Sequence, residues 1–141
     1  MAKKTYHGSC HCKAVAFEAT LDLDKGTTRC NCSVCAKTRF WFALAPAADF
    51  RIEQGEDQLS DYTWIPPGKS QANLHYHFCK TCGVRLFGQG HNASYGGRFY
   101  AVSIAALHDT KQDADKLAQS IKYVDGRHDD YAHEPADTRL M

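Results

Sequence analysis

Seven cysteines in three tight groups constrain this chain more than any other feature: Cys10-His11-Cys12, then Cys30-Asn31-Cys32-Ser33-Val34-Cys35, then Cys79-Lys80-Thr81-Cys82. Zinc sites are counted in fours and threes. Four thiolates close a structural tetrahedron, whereas three leave one position open for water or a substrate atom. The outer pairs sum to four and the middle group supplies three, so no cysteine is left over. The count predicts one closed and one open zinc site. A competing assignment gives the middle group His75 or His77 as a fourth ligand and closes both sites. Buried, uncoordinated thiols are the plainest alternative, but pairs and a triple this close together exceed ordinary cysteine usage.

The spacings support chelation. In a strand, residues i and i+2 share a face, so Cys10 and Cys12 project together, as do Cys30 and Cys32. Cys-x-x-Cys, at Cys32–Cys35 and Cys79–Cys82, is the usual spacing of a knuckle around a metal. Gly83 stands where such a turn wants a residue tolerant of positive φ. Joining the outer pairs would clip the first strands to the middle of the chain and close a long loop.

With 141 residues the chain is the size of one domain, and at 43% hydrophobic and 23% charged it is globular. No stretch approaches the roughly 20 apolar residues of a membrane span; the longest apolar run, residues 40–46, is strand length. Lys3 and Lys4 have no hydrophobic segment behind them, which predicts a cytoplasmic, reducing location where clustered cysteines are ligands, not disulfides. The formal charge is +1 and the basic residues are scattered, which speaks against nucleic-acid and membrane partners.

Short strands dominate the pattern. Residues 13–20 alternate, with Val15, Phe17 and Ala19 on one face. Further strands are expected over residues 40–45, 50–53, 59–65, 73–78, 84–88 and 98–104, with Pro66-Pro67-Gly68 ending the fourth of these seven. Residues 110–121 read as an amphipathic helix. The expected fold is mainly β, of small antiparallel sheets in a zinc-ribbon-like arrangement with one or two short helices. Residues 1–128 form one zinc-binding domain, and 129–141 form a polar C-terminal tail.

Around the open site the sequence offers a set of substrate-binding residues. A three-thiolate zinc carries net negative charge and an incoming thiolate adds to it, so Arg29, Lys37 and Arg39 are placed to hold that charge. As bare spacing, they also read as solvated surface charges. In the run Phe40-Trp41-Phe42, alternation puts the phenylalanines in a core and leaves Trp41 facing the other way, lining a pocket. His75 and His77 are the available histidines for base chemistry.

The ordered set Gly8-Ser9-Cys10-His11-Cys12, Cys30-Asn31-Cys32-Ser33-Val34-Cys35 and Phe78-Cys79-Lys80-Thr81-Cys82-Gly83, followed by Leu86-Phe87, resembles the glutathione-dependent formaldehyde-activating enzyme family, which includes centromere protein V. The likeness runs over residues 6–127, with Tyr123-Val124-Asp125-Gly126-Arg127 as its closing segment. It implies a β-tent fold, a structural zinc on Cys10, Cys12, Cys79 and Cys82, and a second, catalytic zinc on Cys30, Cys32 and Cys35. Two zinc ions per chain are expected, the second open to partial occupancy. The implied activity is condensation of formaldehyde with the glutathione thiol to S-hydroxymethylglutathione, which is carbon–sulfur lyase chemistry, and the implied partners are a small-molecule thiol and a small aldehyde. After Cys35 the chain carries Ala-Lys-Thr-Arg-Phe-Trp-Phe, where namesake-like sequences have a basic residue and a small Gly/Ser segment; the bulkier run reshapes the pocket beside the open zinc. A non-catalytic zinc module for protein interaction or zinc storage is the alternative function. Disulfide exchange at Cys32–Cys35 is weakened by the extra Cys30 and by the lack of a βαβ pattern.

Overall fold

A computed structural model describes residues 3–72 and 74–141. Ten strands and two short α-helices follow in the order β1 (Lys3–Ser9), β2 (Ala16–Asp22), β3 (Thr27–Cys30), α1 (Ser33–Thr38), β4 (Trp41–Pro46), β5 (Phe50–Gln54), β6 (Leu59–Tyr62), β7 (His75–Cys79), β8 (Arg85–Asn92), β9 (Gly97–Ser103), α2 (Ala114–Gln119) and β10 (Ile121–Val124). The mainly β fold expected from the sequence is what the chain adopts. The strand expected over 73–78 starts at His75 among the described residues; Asn73 lies outside them.

Two sheets form. One is three-stranded in the order β1-β2-β5, and the other is seven-stranded in the order β10-β3-β4-β9-β8-β7-β6. Every pairing is antiparallel except β10 with β3, which is parallel and sets Val124 opposite Cys30. Alternation explains the packing between the sheets. In β2 the buried positions are Phe17, Ala19 and Leu21, and they face Ala43, Ala45, Phe87 and Val102 of the larger sheet in one continuous core. Phe50 joins the two layers, its ring 5.4 Å from Phe17, 4.8 Å from Phe87 and 4.3 Å from Tyr100. Fully burying a side chain such as Phe17 or Phe87 contributes about 1.5–3 kcal/mol.

A second, smaller core includes residues that alternate with the first along the same strands. Phe42 of β4, Tyr76 of β7 and Ala101 of β9 meet Cys35 and Phe40, with Cys30, Cys32, Val34, Trp64 and Leu74 packed around them. Phe40 and Phe42 stack at 5.0 Å, and Tyr76 meets Phe40 edge-on at 6.2 Å. The two cores therefore use alternate side chains of the larger sheet, and one of them carries the middle cysteine group.

Several boundaries differ from the sequence expectation for local reasons. The strand expected at 13–20 starts at Ala16, because residues 10–15 turn tightly: the Cys10 N–H donates to the Val15 carbonyl at 3.1 Å and Lys13 takes φ 67°. Strands β1, β3 and β10 and helix α1 carry too little periodicity to have been expected. The C-terminal helix is shorter than 110–121, since a 3-10 turn at Lys111–Asp113 precedes α2.

Candidate functional site

The outer cysteines come together on two similar turns. After β1, Lys13 N–H donates to the Cys10 carbonyl (3.2 Å) and the Val15 N–H points at Cys10 Sγ (3.4 Å). After β7, Cys79 N–H donates to the Val84 carbonyl (3.0 Å), Gly83 N–H to the Cys79 carbonyl (2.9 Å), and Thr81 N–H points at Cys79 Sγ (3.4 Å). Lys13 at φ 67° and Gly83 at φ 75° supply the left-handed residue in each turn. The pair Cys10 and Cys12 is therefore presented by a turn and not by two positions of one strand face.

The sulfurs of Cys10, Cys12, Cys79 and Cys82 lie within 4.8 Å of one another, with Cys12 Sγ 3.6 Å from both Cys10 Sγ and Cys79 Sγ. A disulfide needs about 2.05 Å. A tetrahedral zinc with bonds of about 2.3 Å sets its sulfurs roughly 3.8 Å apart. The donor set and spacing thus fit a zinc ion. Backbone N–H groups favour the thiolate form at two of the four: hydrogen bonds from Cys12 and Val84 push the Cys82 thiol down to about 6, and the N–H groups of Cys82 and Thr81 lower Cys79, whereas at Cys12 the Ala14 N–H is outweighed by burial and the neighbouring thiols, which push it up to about 11.

The sulfurs of Cys30, Cys32 and Cys35 also lie within 4.8 Å of one another, and no histidine or carboxylate joins them among the described residues. Their positions come from one short stretch. Cys30 ends β3, Cys32 precedes α1, and Cys35 sits in α1, which closes with the Arg39 N–H donating to the Cys35 carbonyl (2.8 Å). Cys32 is held far below the usual thiol range by hydrogen bonds from the Cys30 and Cys35 thiols and by the N–H groups of Cys35 and Val34; hydrogen bonds to Cys30 and Cys32, together with burial, push Cys35 up. A three-sulfur set with no fourth protein ligand fits a metal with one free position.

Aromatic and cationic groups surround this trio. Arg85, more than half buried, lies 4.2 Å from the Tyr76 ring centroid and 5.1 Å from that of Phe40 and donates to Thr38 Oγ1 at 3.2 Å. Burial lowers the Arg85 pKa, while the nearby Tyr76, Cys35 and Cys32 raise it. Burial pushes Tyr76 up, with charge at Cys35 and Cys32 adding to the shift, and pushes Tyr131 up to about 12, with Cys30 adding. The Trp64 indole packs against the same core, and its Nε1–H is buried without a hydrogen-bond partner.

A cavity of about 320 Å³ opens over the trio, lined by Arg29, Cys30, Asn31, Cys35, Ala36, Arg39, Phe40, Arg127, Asp137, Leu140 and Met141. Of the sequence-selected residues, Arg29 and Arg39 border it and Lys37 is exposed outside its lining. Trp41 faces away. Its indole donates to Thr27 Oγ1 (2.8 Å), Arg29 lies over it at 4.9 Å, and it lines a separate apolar cavity beside α2. His75 pairs with Asp61 (2.9 Å), while His77 stacks on Phe87 at 4.7 Å and burial lowers its pKa; neither joins a sulfur group. Between them on β7, Tyr76 packs against the trio's core instead. Tyr76, Arg85, Asn31 and Tyr131 were not singled out from the sequence. The signal for Tyr76 was present in its alternation with the two histidines, but which face meets the thiols depends on sheet register.

A third group, His7, Glu18 and Glu53, is exposed on the small sheet. Arg51 lies 3.1 Å from Glu18 and 3.7 Å from Glu53, so these side chains form a surface ion-pair network.

The fold has counterparts among solved structures. A crystal structure of a Rhodobacter sphaeroides protein from a structural-genomics programme superposes with a TM-score of 0.66 at 25% sequence identity, over 84% of this chain and 99% of that one. At the level of sequence, the model of one family, described as glutathione-dependent formaldehyde-activating enzyme, matches residues 5–123, a span that holds all seven cysteines. The chain belongs to the glutathione-dependent formaldehyde-activating enzyme family.

Proposed function

We propose that the chain is a zinc-dependent carbon–sulfur lyase that joins a small thiol to a small aldehyde, with glutathione and formaldehyde the pair that the family's name supplies. The observation that carries this reading is the sulfur trio of Cys30, Cys32 and Cys35, of which Cys30 and Cys35 line an open cavity, with no fourth protein ligand among the described residues. Cys10, Cys12, Cys79 and Cys82 hold a structural zinc that ties the turn after β1 to the turn after β7. A zinc ion on the trio would supply a Lewis-acidic position that lowers the pKa of an incoming thiol. The reaction balances as an addition: a sulfur–carbon bond forms, the carbonyl π bond opens, and the thiol proton ends on the new hydroxyl oxygen. Reversal breaks the same bond.

The chain's own groups bind and orient. Arg29 and Arg39 border the cavity as positive charges, and Arg85 sets another against the Tyr76 and Phe40 rings, of which Phe40 lines the cavity. Holding both reactants there converts a bimolecular addition into a near-unimolecular one. Thiol ligation by all seven cysteines requires a reducing compartment such as the cytoplasm.

The test is zinc content per chain followed by glutathione titration, with formaldehyde exchange measured by magnetisation-transfer NMR. Two zinc ions, one thiol-responsive, and exchange faster than in buffer support the reading. Cys32→Ala is expected to keep one zinc and lose both the thiol response and the acceleration. Full exchange rates in Cys32→Ala, or a second metal indifferent to every thiol, would refute it. The second outcome would favour a zinc-binding interaction or storage module.

A further inference from the structure

The family match ends at residue 123, yet the wall of the three-thiol cavity continues past it. Asn31, between two of the thiols, clamps the later segment. Its N–H donates to the Val124 carbonyl (3.3 Å) and its side-chain amide to Asp125 Oδ1 (2.9 Å). Its side-chain oxygen accepts from the Arg127 N–H (3.0 Å), and its backbone carbonyl accepts from Arg127 Nε (3.1 Å). Gly126 approaches Cys30 so closely that a Cβ there would collide with Cys30 Sγ and stand 3.4 Å from the Tyr131 ring.

This clamp fixes the Arg127 guanidinium through its Nε, and Arg127 borders the cavity. Arg29, Arg39 and Arg127 all line that cavity, and among the described residues none has a carboxylate within ion-pair distance. The one side-chain carboxylate in the lining, Asp137, is already forked by Arg139 at 2.9 and 2.8 Å. Three guanidinium groups around one opening, none of them ion-paired to a carboxylate among the described residues, match the geometry of carboxylates.

We propose that the segment after residue 123 is a working wall of the site, and that Arg127 is a specificity-determining residue selecting thiols that carry carboxylate groups over neutral thiols. The proposal rests on the reading of this cavity as a thiol site, and it assigns part of the recognition to residues outside the matched family region. Arg127 acts by binding the carboxylate end of the ligand, at a distance from the sulfur.

The experiment compares mercaptosuccinate, 2-mercaptoethanol and sulfur-free succinate by calorimetry on the zinc-loaded full chain. The wild-type protein is expected to prefer mercaptosuccinate to 2-mercaptoethanol by about tenfold or more, the size of one charge-assisted hydrogen bond. Arg127→Ala should erase most of that preference and Arg127→Lys should retain part of it, with zinc content and melting temperature monitoring the fold of each. Equal affinity for the two thiols in the wild type, or an undiminished preference in Arg127→Ala, overturns the proposal. If neither thiol binds but succinate does so in an Arg127-dependent way, the thiol reading falls and carboxylate selection by Arg127 stands. If succinate also fails to bind, both fall.

Discussion

Gly126 shows how narrowly single residues define the open site. Its hydrogen faces Cys30 Sγ, with Cys32 Cβ 3.3 Å and Tyr131 3.4 Å from where a methyl group would stand. Gly126→Ala must push either the thiol or the segment carrying Arg127 aside, an overpacking cost of about 1–3 kcal/mol. We expect weaker binding of the second zinc and a lower melting temperature, with the four-thiol zinc retained; two tightly held zinc ions and unchanged melting would refute this account. The cysteines themselves were legible in the sequence because spacing alone limits which sulfurs can meet. Arg85 was not. It lies far from the trio in sequence and reaches it only because β8 runs beside β7, where the side chain finds two aromatic faces and Thr38.

Among the elements, the two cysteine groups are built differently, and under the two-zinc proposal this difference sets the expected response to chelators. The four-thiol group bridges separate turns whose backbone amides already point at sulfur, and two of its cysteines, Cys10 and Cys79, are 2% and 0% exposed. The three-thiol group rests on a six-residue helix and the end of a four-residue strand. Graded chelation is expected to remove zinc in two steps. The first equivalent leaves with little change in far-ultraviolet circular dichroism; the second leaves with loss of cooperative unfolding, since a closed structural site contributes to folding directly. A single step, or early unfolding, would contradict it. Element parity was the least legible feature. The alternation of β7 was evident, but the choice between the His75/His77 face and the Tyr76 face as the one meeting the thiols was made by pairing with β8, where the register shifts between His77 and Phe78.

For the molecule as a whole, the seven-stranded sheet separates two tasks. Phe87, 2% exposed, packs with Phe50 and Tyr100 in the core shared by both sheets, while Tyr76 and Phe42 support the thiol cavity. Phe87→Ala is expected to lower unfolding free energy in denaturant by about 3–5 kcal/mol while two zinc ions remain bound under native conditions. Loss of the second zinc at full stability would show that the two tasks are not separable. The mainly β architecture was legible from alternation in β2, β4, β5 and β9. The parallel partnership of β10 with β3 was not, because it joins two four-residue strands distant in sequence.

That parallel partnership also orders events in time. As a chain emerges from the ribosome, the four outer sulfurs are all available once Cys82 is out. The middle sulfurs emerge earlier, but Asn31 has nothing to clamp and Cys30 no paired residue until Val124 through Arg127 have been made. The four-sulfur group is therefore complete in the growing chain well before the segment that closes one side of the three-sulfur group has been made.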